Sequence, residues 1–435
     1  MQQALTSMPA KTLKQRLQLV SPVVFVLYVS FSSFMVYTCM YGFRKPFTAA
    51  SYEGLELWGV SYKTILVIAQ VLGYMLSKFY GIRFIGSMKP EKRSVTIIRL
   101  IFIAWLSLLL FSLVPYPFNF VFMFINGLPL GMIWGLVFGF VEGRKLTELM
   151  GSVLATSFIF ASGLAKTVGK WVMLQYHISE WQMPFVAGTV FILPLCISVW
   201  LLQQTPPPTD KDVEVRTIRL PMDSRERKQF IKRFGLFLTP VITAYAMLTL
   251  LRDFCEDFAN ELWKETGFQN NAAIFTQTST IISLTVLAIV GGFFLIKNNY
   301  KAFQLAHVTI LAGFVLALVT TFLYQSHFIN PFVWVLSATS GLYLGYVPYN
   351  CLYFERMLAA FKIRGNVGFV MYIADAFGYL GTVFVLLLKE FIKVHYSWVS
   401  FFSFLFYATS VIGIVLVLLG TFMASSLHKK FNQLV

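Results

Sequence analysis

Twelve apolar segments, each long enough to cross a lipid bilayer, follow one another along this chain. They lie near residues 20–43, 62–83, 96–115, 117–141, 149–175, 183–203, 235–256, 272–296, 302–325, 331–354, 366–389 and 397–424. A helix needs about 20 apolar residues to span the hydrocarbon core. Charged residues make up only 12% of the 435 positions, which is about half the share in a soluble domain. The sequence therefore predicts an all-α polytopic membrane protein with 12 transmembrane helices.

A single long polar segment, residues 204–234, divides these twelve segments into two sets of six. It begins with the three prolines at 206–208 and carries eight Lys or Arg residues. We therefore predict an N-terminus (1–19), an N-terminal six-helix bundle (20–203), a linker (204–234), a C-terminal six-helix bundle (235–424) and a tail (425–435).

The two sets also resemble each other in sequence. Gly127–Gly131 (GLPLG) in the fourth segment is matched by Gly341–Gly345 (GLYLG) in the tenth, 214 residues later, and the same offset relates Gly151 to Gly365. Two similar six-helix halves joined by a polar linker resemble the layout of the major facilitator superfamily. We therefore expect two pseudo-symmetric six-helix bundles in the major facilitator fold.

The distribution of basic residues along the chain indicates its orientation in the membrane. Of the 35 Lys and Arg residues, 25 lie in segments on one side of the predicted membrane and nine on the other. The positive-inside rule then places both termini in the cytoplasm. The net charge of +16 is thereby explained without a nucleic-acid partner. Short loops and the absence of Asn-x-Ser/Thr sequons favour a bacterial inner membrane.

Motifs of enzyme chemistry are missing from the sequence. It contains no glycine-rich phosphate loop and no Gly-x-Ser-x-Gly elbow, and its five histidines are scattered without metal-ligand spacing. We therefore predict no catalytic residues, no metal site and no cofactor. The protein is not expected to be an enzyme or an ATP-driven pump.

Five charged side chains interrupt the apolar segments: Arg44, Lys78, Lys166, Arg252 and Asp375. A charge at mid-membrane costs about 2.5–3.5 kcal/mol on insertion scales, so each one needs a reason. A functional interpretation places Arg44, Lys78 and Arg252 around a central aqueous cavity, facing an anionic substrate. Guanidinium groups suit oxyanions because their donors bind two oxygens at once.

A structural interpretation of the same charges stays open. The cations could pair with Glu142, Asp253, Asp257 or Asp375 and hold helices together, or the two arginines could reach headgroups from helix ends. For Lys166 and Asp375 the sequence does not separate a coupling role from a structural ion pair.

Aromatic and acidic side chains near these cations give weaker signals. Tyr37 and Tyr41 are four residues apart on one helix face, with Arg44 three residues further on, so they could line the cavity or simply pack. The acidic residues after Arg252 are interpreted as a solvated outer face: Asp253, Glu256, Asp257, Glu261 and Glu265.

The charged positions resemble those of the organophosphate:phosphate antiporters, a branch of the major facilitators. Tyr41–Phe47 (YGFRKPF) is similar to the Arg-Lys-Asn-Phe segment in the first helix of that family. Four further segments resemble its second, fourth, seventh and eleventh helices: Gly73–Phe79, Asn126–Trp134, Leu250–Asp257 and Ala376–Gly381.

This resemblance implies that Arg44 and Arg252 bind phosphate as a pair, one from each half, with Lys78 nearby and Tyr37 and Tyr41 in the cavity. It further implies rocker-switch exchange of a phosphorylated metabolite against inorganic phosphate.

The chain departs from the family at three positions. Phe158 stands where the family has a histidine, and Lys166, eight residues on, could replace that cation. Thr249 stands where the family has a tyrosine, and Asp375 is an addition.

We therefore predict a secondary transporter of an organic anion, with Lys166, Asp375 and Asp257 as further coupling or auxiliary residues. Its expected partners are a small anionic substrate and the lipid bilayer, and we expect a monomer. Two alternatives remain. Asp375 could be the proton site of a proton-coupled organic anion symporter, or the chain could be an anion sensor with residues 204–234 as a docking surface.

Overall fold

The structure, a computed structural model, describes residues 12–86, 88–142, 144, 146–208, 224–361, 367–391 and 397–432. Parts of all five predicted regions therefore lie outside the described residues. These are 1–11 of the N-terminus, 87, 143 and 145 of the N-terminal bundle, 209–223 of the linker, 362–366 and 392–396 of the C-terminal bundle, and 433–435 of the tail.

Within the described residues, twelve helices contain 18 or more residues. In chain order they are α1 (Pro22–Tyr41), α2 (Tyr62–Gly86), α3 (Arg93–Leu113), α4 (Phe120–Val141), α5 (Thr147–Tyr176), α6 (Met183–Gln203), α7 (Ser224–Asp257), α8 (Ile274–Gly291), α9 (Asn299–Gln325), α10 (Pro331–Pro348), α11 (Val367–Phe391) and α12 (Trp398–Asn432). Each falls on one of the predicted segments, which confirms the all-α membrane fold. Nine of them qualify as spans by length and composition, and the exceptions are α2, α10 and α11.

Local sequence explains where several helices begin. The Ser21 hydroxyl accepts a hydrogen bond from the Val24 amide (3.4 Å) and proline occupies the first position of α1. Asn330 caps α10 in the same way through the Val333 amide (2.9 Å), again followed by proline. Both arrangements satisfy amides that lack a partner within the helix, and proline has no amide to satisfy there.

Shorter elements connect the long helices. A 3₁₀ turn (Pro46–Ala49) follows α1, and a two-stranded hairpin, β1 (Glu56–Leu57) and β2 (Val60–Ser61), precedes α2. Short helices occupy Leu13–Leu17, Ala259–Glu265 and Phe354–Ala360.

Two helices differ in extent or conformation from the predicted segments. Helix α7 begins at Ser224, so residues 224–234, predicted to be linker, are helical. The tenth segment, predicted to run to residue 354, leaves the α conformation after Pro348 and continues as a π-helical turn over Tyr349–Tyr353. Such wide turns occur often at functional sites.

The helices pack as two bundles of the same design. Helix α1 packs against α4, α5 and α6, and α7 packs in the same way against α10, α11 and α12. The α2–α4 and α3–α4 contacts correspond to α8–α10 and α9–α10. Between the bundles, α5 contacts α8 and α2 contacts α11. Because these two contacts also correspond, the whole molecule has pseudo-twofold symmetry.

Alternating helix direction gives the molecule two faces. We call the face at which the odd-numbered helices begin the termini face, because α1 starts there and α12 ends there. The opposite face, where α1 ends and α2 begins, is the distal face. The cytoplasmic location of the termini remains a prediction.

The glycine repeats do not make equivalent contacts. A Cβ atom added to Gly127 would lie 2.9 Å from the backbone nitrogen of Tyr74 on α2. One added to Gly341 would lie 2.9 Å from that of Ala317 on α9. In the symmetry described above α2 corresponds to α8, not α9. Each glycine therefore permits a close helix crossing, but with a different neighbour.

Candidate functional site

A cavity of about 220 Å³ lies between the two bundles. All five residues predicted to bind substrate line it: Tyr37, Tyr41, Arg44, Lys78 and Arg252. Asp375 lines it as well, whereas Lys166 and Asp257 are not among its lining residues. Further lining residues come from α2, α4, α10, the π-helical turn and α11, and include Tyr74, Trp134, Tyr346, Tyr349, Asn350 and Tyr379.

Arg44 lies in the turn after α1, and buried amides hold this turn in place. The Gln70 side chain donates to the Arg44 carbonyl (2.9 Å) and to the Asn126 side-chain oxygen (2.8 Å). Asn126 in turn donates to the carbonyls of Phe43 (3.1 Å) and Ala104 (3.0 Å). Helices α2, α3 and α4 thus position the backbone from which the Arg44 side chain extends.

The Arg44 guanidinium is surrounded by aromatic rings and has no carboxylate partner among the residues that the structure describes. It lies 4.0 Å from the centroid of the Tyr74 ring, and one of its terminal nitrogens is 3.5 Å from the Tyr41 hydroxyl. Its Nε is buried without a hydrogen-bond partner, and no salt bridge among the described residues includes it. Arg44 therefore offers a positive charge and free donors to a ligand.

Arg252 has a different environment, although sequence reasoning treated the two arginines as a pair. Its guanidinium binds the neighbouring Asp253 carboxylate through Nη2 (2.5 Å) and Nε (3.1 Å). It also donates to the Tyr346 hydroxyl. The Thr382 hydroxyl donates to the other Asp253 oxygen (2.8 Å) and so fixes the carboxylate. The charge of Arg252 is thus already balanced within the protein.

Lys78 and Asp375 form an ion pair that joins α2 to α11 across the cavity. The Tyr245 hydroxyl donates to the second Asp375 oxygen at 2.6 Å. The Lys78 ammonium also lies 5.0 Å from the centroid of the Tyr379 ring. The side chains of Lys78 and Asp375 are 20% and 14% exposed, so the pair is accessible from the cavity.

Lys166 and Asp257 contribute to the distal face instead. The Lys166 ammonium donates to the Glu256 carbonyl (2.8 Å). Asp257 binds Lys45, which is also 3.3 Å from Glu256. Both pairs connect the N-terminal bundle to the C-terminal bundle, on the distal side of the two cavity arginines.

The acidic residues after Arg252 are mostly buried, so their interpretation as a solvated outer face was wrong. Asp253, Glu256, Asp257 and Glu261 are at most 8% exposed. Only Glu265 is exposed, and it accepts from the first amides of α12. A buried carboxylate is tolerated when a cation pairs with it. Asp253 pairs with the adjacent Arg252, whereas Glu256, Asp257 and Glu261 are compensated from the other bundle.

Lys63 provides such compensation for Glu261, at 2.5 Å. Its ammonium also donates to the Thr48 carbonyl (2.9 Å). Burial raises the pKa of the Glu261 carboxyl, and Lys63 opposes this shift. Together with the Lys45 and Lys166 contacts, this pair closes the distal face.

An ion pair among the described residues also joins the bundles at the termini face. There, Arg356 binds Glu148 at 2.7 Å and also donates to the Asn299 side chain (2.7 Å). Glu148 lies in the first turn of α5 and Arg356 in the short helix Phe354–Ala360.

The departures from the antiporter pattern find a structural explanation. Phe158 lines the cavity, with its ring 5.8 Å from that of Tyr346. Thr249 packs against α11, since a Cβ atom at Gly378 would lie 2.7 Å from its methyl group. A tyrosine at position 249 would collide with this close helix crossing.

Sequence reasoning did not select Tyr74 or Tyr346 as site residues. Tyr74 lies four residues before Lys78, a spacing that places both on one face of α2, so its position could have been inferred. Tyr346 meets Arg252 from another helix, and no spacing in the sequence indicates this contact.

Comparison with solved structures identifies the fold as that of the major facilitator superfamily. The human organic anion transporter MFSD10 (TETRAN) is 15% identical, with 92% of this chain and 100% of that chain covered and a TM-score of 0.56. The xylose transporter XylE from E. coli is 12% identical (91% and 97% covered, TM-score 0.57). The nucleoside transporter NupG is 14% identical (92% and 99% covered, TM-score 0.59). At these identities the likeness shows the fold alone.

Within this fold class, the chain belongs to DUF5690, a family of unknown function whose pattern matches residues 46–426. No curated protein matches the sequence significantly.

Proposed function

We propose that the protein is a secondary active transporter of a small organic anion. In this proposal the two bundles rock about the central cavity and expose it alternately to the distal and the termini face. The cavity lies at the bundle interface, where major facilitators bind their substrates. MFSD10, one of the similar structures, is described as an organic anion transporter.

The observation that carries this proposal is the environment of Arg44. A buried guanidinium without a carboxylate partner is costly in the interior of a membrane protein. Its position on the cavity wall, 5% exposed and with Nε unbonded, suits an oxyanion that supplies the missing negative charge and acceptors. Arg44 is therefore the proposed anion-binding residue.

Exchange against inorganic phosphate is the specific form that the antiporter resemblance predicts. The Arg252–Asp253 pair weakens that form, because it leaves one uncompensated guanidinium for the anion instead of two. The uptake experiment described below therefore tests phosphate exchange separately. The cytoplasmic location of both termini, based on the distribution of Lys and Arg, and a bacterial inner membrane, based on the short loops and the absence of sequons, also remain part of the proposal.

The test is uptake of radiolabelled anions into proteoliposomes that contain the purified protein. Benzoate and inorganic phosphate serve as probes, each with and without the same anion preloaded inside. Arg44→Gln should reduce uptake about tenfold or more, because bonds to a charged donor are lost. Arg99→Gln, which removes an exposed cation outside the cavity, should leave uptake unchanged. Arg44-independent uptake, or no uptake of either anion by folded protein, would contradict the proposal.

Proton-coupled symport is a second candidate, and the Lys78–Asp375 pair favours it. Asp375 accepts hydrogen bonds from both bundles, through Lys78 of α2 and Tyr245 of α7. Protonation of this carboxyl would release Lys78 and thereby link a proton to the contact between α2 and α11. An inward proton gradient should then accelerate uptake in the wild type but not in Asp375→Asn. Equal responses in both proteins would exclude this coupling.

A further inference from the structure

The aromatic walls of the central cavity restrict the kind of anion that it can bind. Trp134 and Phe138 of α4 stack on each other, with ring centroids 6.2 Å apart and an angle of 12°. Tyr37 meets the Trp134 ring edge-on at 5.1 Å. Phe158 of α5 adds a further ring. A ligand that fills this space therefore touches ring faces and ring edges on most sides.

Amide and aliphatic hydroxyl side chains are scarce on the same walls. Apart from charged groups, tyrosine hydroxyls and the Trp134 indole nitrogen, Asn350 is the one polar side chain with oxygen or nitrogen among the described lining residues. Its amide already donates to the Tyr346 carbonyl (3.1 Å), and its oxygen is 3.4 Å from the Tyr245 hydroxyl. A polyhydroxylated body would have to find its partners mainly among tyrosine hydroxyls, and two of these, on Tyr41 and Tyr346, already contact Arg44 and Arg252. Hydroxyl groups left without a partner are unfavourable in a buried site.

The charged side chains around Arg44 limit the charge of the substrate. Arg252 is neutralised by Asp253, and Lys78 by Asp375. Arg44 alone lacks a carboxylate among the described residues, and its guanidinium lies against the face of Tyr74. This arrangement complements one negative charge next to a flat apolar group.

From these three observations we infer that the substrate is a singly charged anion with an aromatic body, such as an aromatic carboxylate, and not a sugar phosphate. The inference rests on the proposed anion transport and specifies its substrate class. The carboxylate binds Arg44, and the ring packs against Trp134 and Phe158. The cavity volume of about 220 Å³ is below the range of drug-sized pockets, so the body is small.

The experiment measures dissociation constants of the purified full-length protein by calorimetry. The probes are benzoate, cyclohexanecarboxylate, glucose 6-phosphate and inorganic phosphate. The two carboxylates match in charge and approximate size and differ in aromaticity. Wild type should bind benzoate about fivefold more tightly than cyclohexanecarboxylate, which is the scale of one aromatic contact, and the two phosphates more weakly than either.

Substitutions assign this preference to the cavity rings. Trp134→Leu and Phe158→Leu should bring the benzoate-to-cyclohexanecarboxylate ratio towards one while cyclohexanecarboxylate binding persists. Persistent cyclohexanecarboxylate binding shows that the variants are folded, and Trp134→Tyr, which keeps a ring, should retain part of the preference.

Three results would overturn the inference: a ratio near one in the wild type, a ratio unaffected by both leucine substitutions, or tighter binding of either phosphate. Tighter binding of a phosphate that depends on Arg44 would do so while leaving the proposed anion transport intact. Binding of no probe in an Arg44-dependent manner would instead contradict the proposed function itself.

Discussion

The Gln70 side chain donates a 2.9 Å hydrogen bond to the Arg44 backbone carbonyl and so supports the turn that carries the Arg44 side chain. The same amide group donates to Asn126, which holds the carbonyl of Phe43. The position of the proposed anion-binding guanidinium therefore depends on two buried amides that do not line the cavity.

Replacement of Gln70 by methionine tests this dependence. Gln70→Met keeps the side-chain volume but removes both hydrogen bonds, and it leaves the Arg44 carbonyl and the Asn126 oxygen unsatisfied. We expect about 1–3 kcal/mol of destabilisation and several-fold weaker anion binding, because the turn carrying Arg44 loosens. Thermal unfolding and calorimetry measure the two effects. Gln203→Met, at the exposed end of α6, is the matched control and should change neither.

Asp253→Asn should alter the charge preference of the cavity. Asparagine can still accept from Thr382, but it no longer neutralises Arg252, so the cavity gains an uncompensated guanidinium. We expect phosphate binding to strengthen about tenfold relative to benzoate, on the scale of one charge-assisted contact. Competition between the two anions measures this ratio. An unchanged ratio would show that Arg252 does not reach the ligand, and Glu91→Gln, an exposed carboxylate outside the cavity, should be neutral.

The Lys45–Asp257 pair should determine how firmly the distal face closes. Lys45→Met leaves Asp257 buried without its cation. Removing one partner of a buried ion pair costs about 3–5 kcal/mol, and the conformation in which the distal face is closed is therefore destabilised. The double variant Lys45→Met/Asp257→Asn should recover part of this cost, since neither charge remains. A coupling energy near zero in this double-mutant cycle would argue against an energetic role for the pair.

Cys351 offers a reporter for that experiment. Its thiol lines the cavity and is partly exposed. In a protein whose other cysteines are replaced by alanine, the rate of its alkylation by N-ethylmaleimide follows access to the cavity from the termini face. If opening of the distal face closes the termini face, Lys45→Met should slow the reaction and the double variant should restore its rate in part.

Gly163 allows the two bundles to approach each other where α5 meets α8. A Cβ atom at this position would lie 2.6 Å from the Cβ of Ser279, too close for unstrained packing. Gly163→Val should therefore hold the bundles apart at this crossing and reduce transport at least about tenfold, by analogy with the cost of overpacked cores. Gly292→Ala is the control, because no atom lies within 4 Å of its added Cβ. Full activity of Gly163→Val would show that this contact is not required.

Much of the fold could be predicted because each membrane span is a local property of the sequence. Hydropathy identified all twelve segments but missed the helical start of α7 at Ser224. Residues 224–234 are too polar to be predicted as part of a membrane span from hydropathy, although Phe230 and Phe234 are buried there.

Pairing between bundles could not be predicted in the same way. Because a buried charge is costly, Arg44, Lys78 and Arg252 could be selected from the sequence as candidates, and all three line the cavity. This cost did not reveal which carboxylate each would meet, because Lys78 and Asp375 are 297 residues apart. For the same reason Glu256 and Asp257 were interpreted as solvated, since their cation, Lys45, comes from the opposite bundle.

The composition of the closed distal face has an electrostatic consequence. Its buried cations, Lys45, Lys63 and Lys166, all belong to the N-terminal bundle, and its buried anions all belong to the C-terminal bundle: Glu256, Asp257 and Glu261. When the bundles separate at this face, charges that cancel in contact become a positive wall opposite a negative one. An anion arriving from the distal side would then be steered along the lysines towards Arg44, and its capture should slow as ionic strength rises.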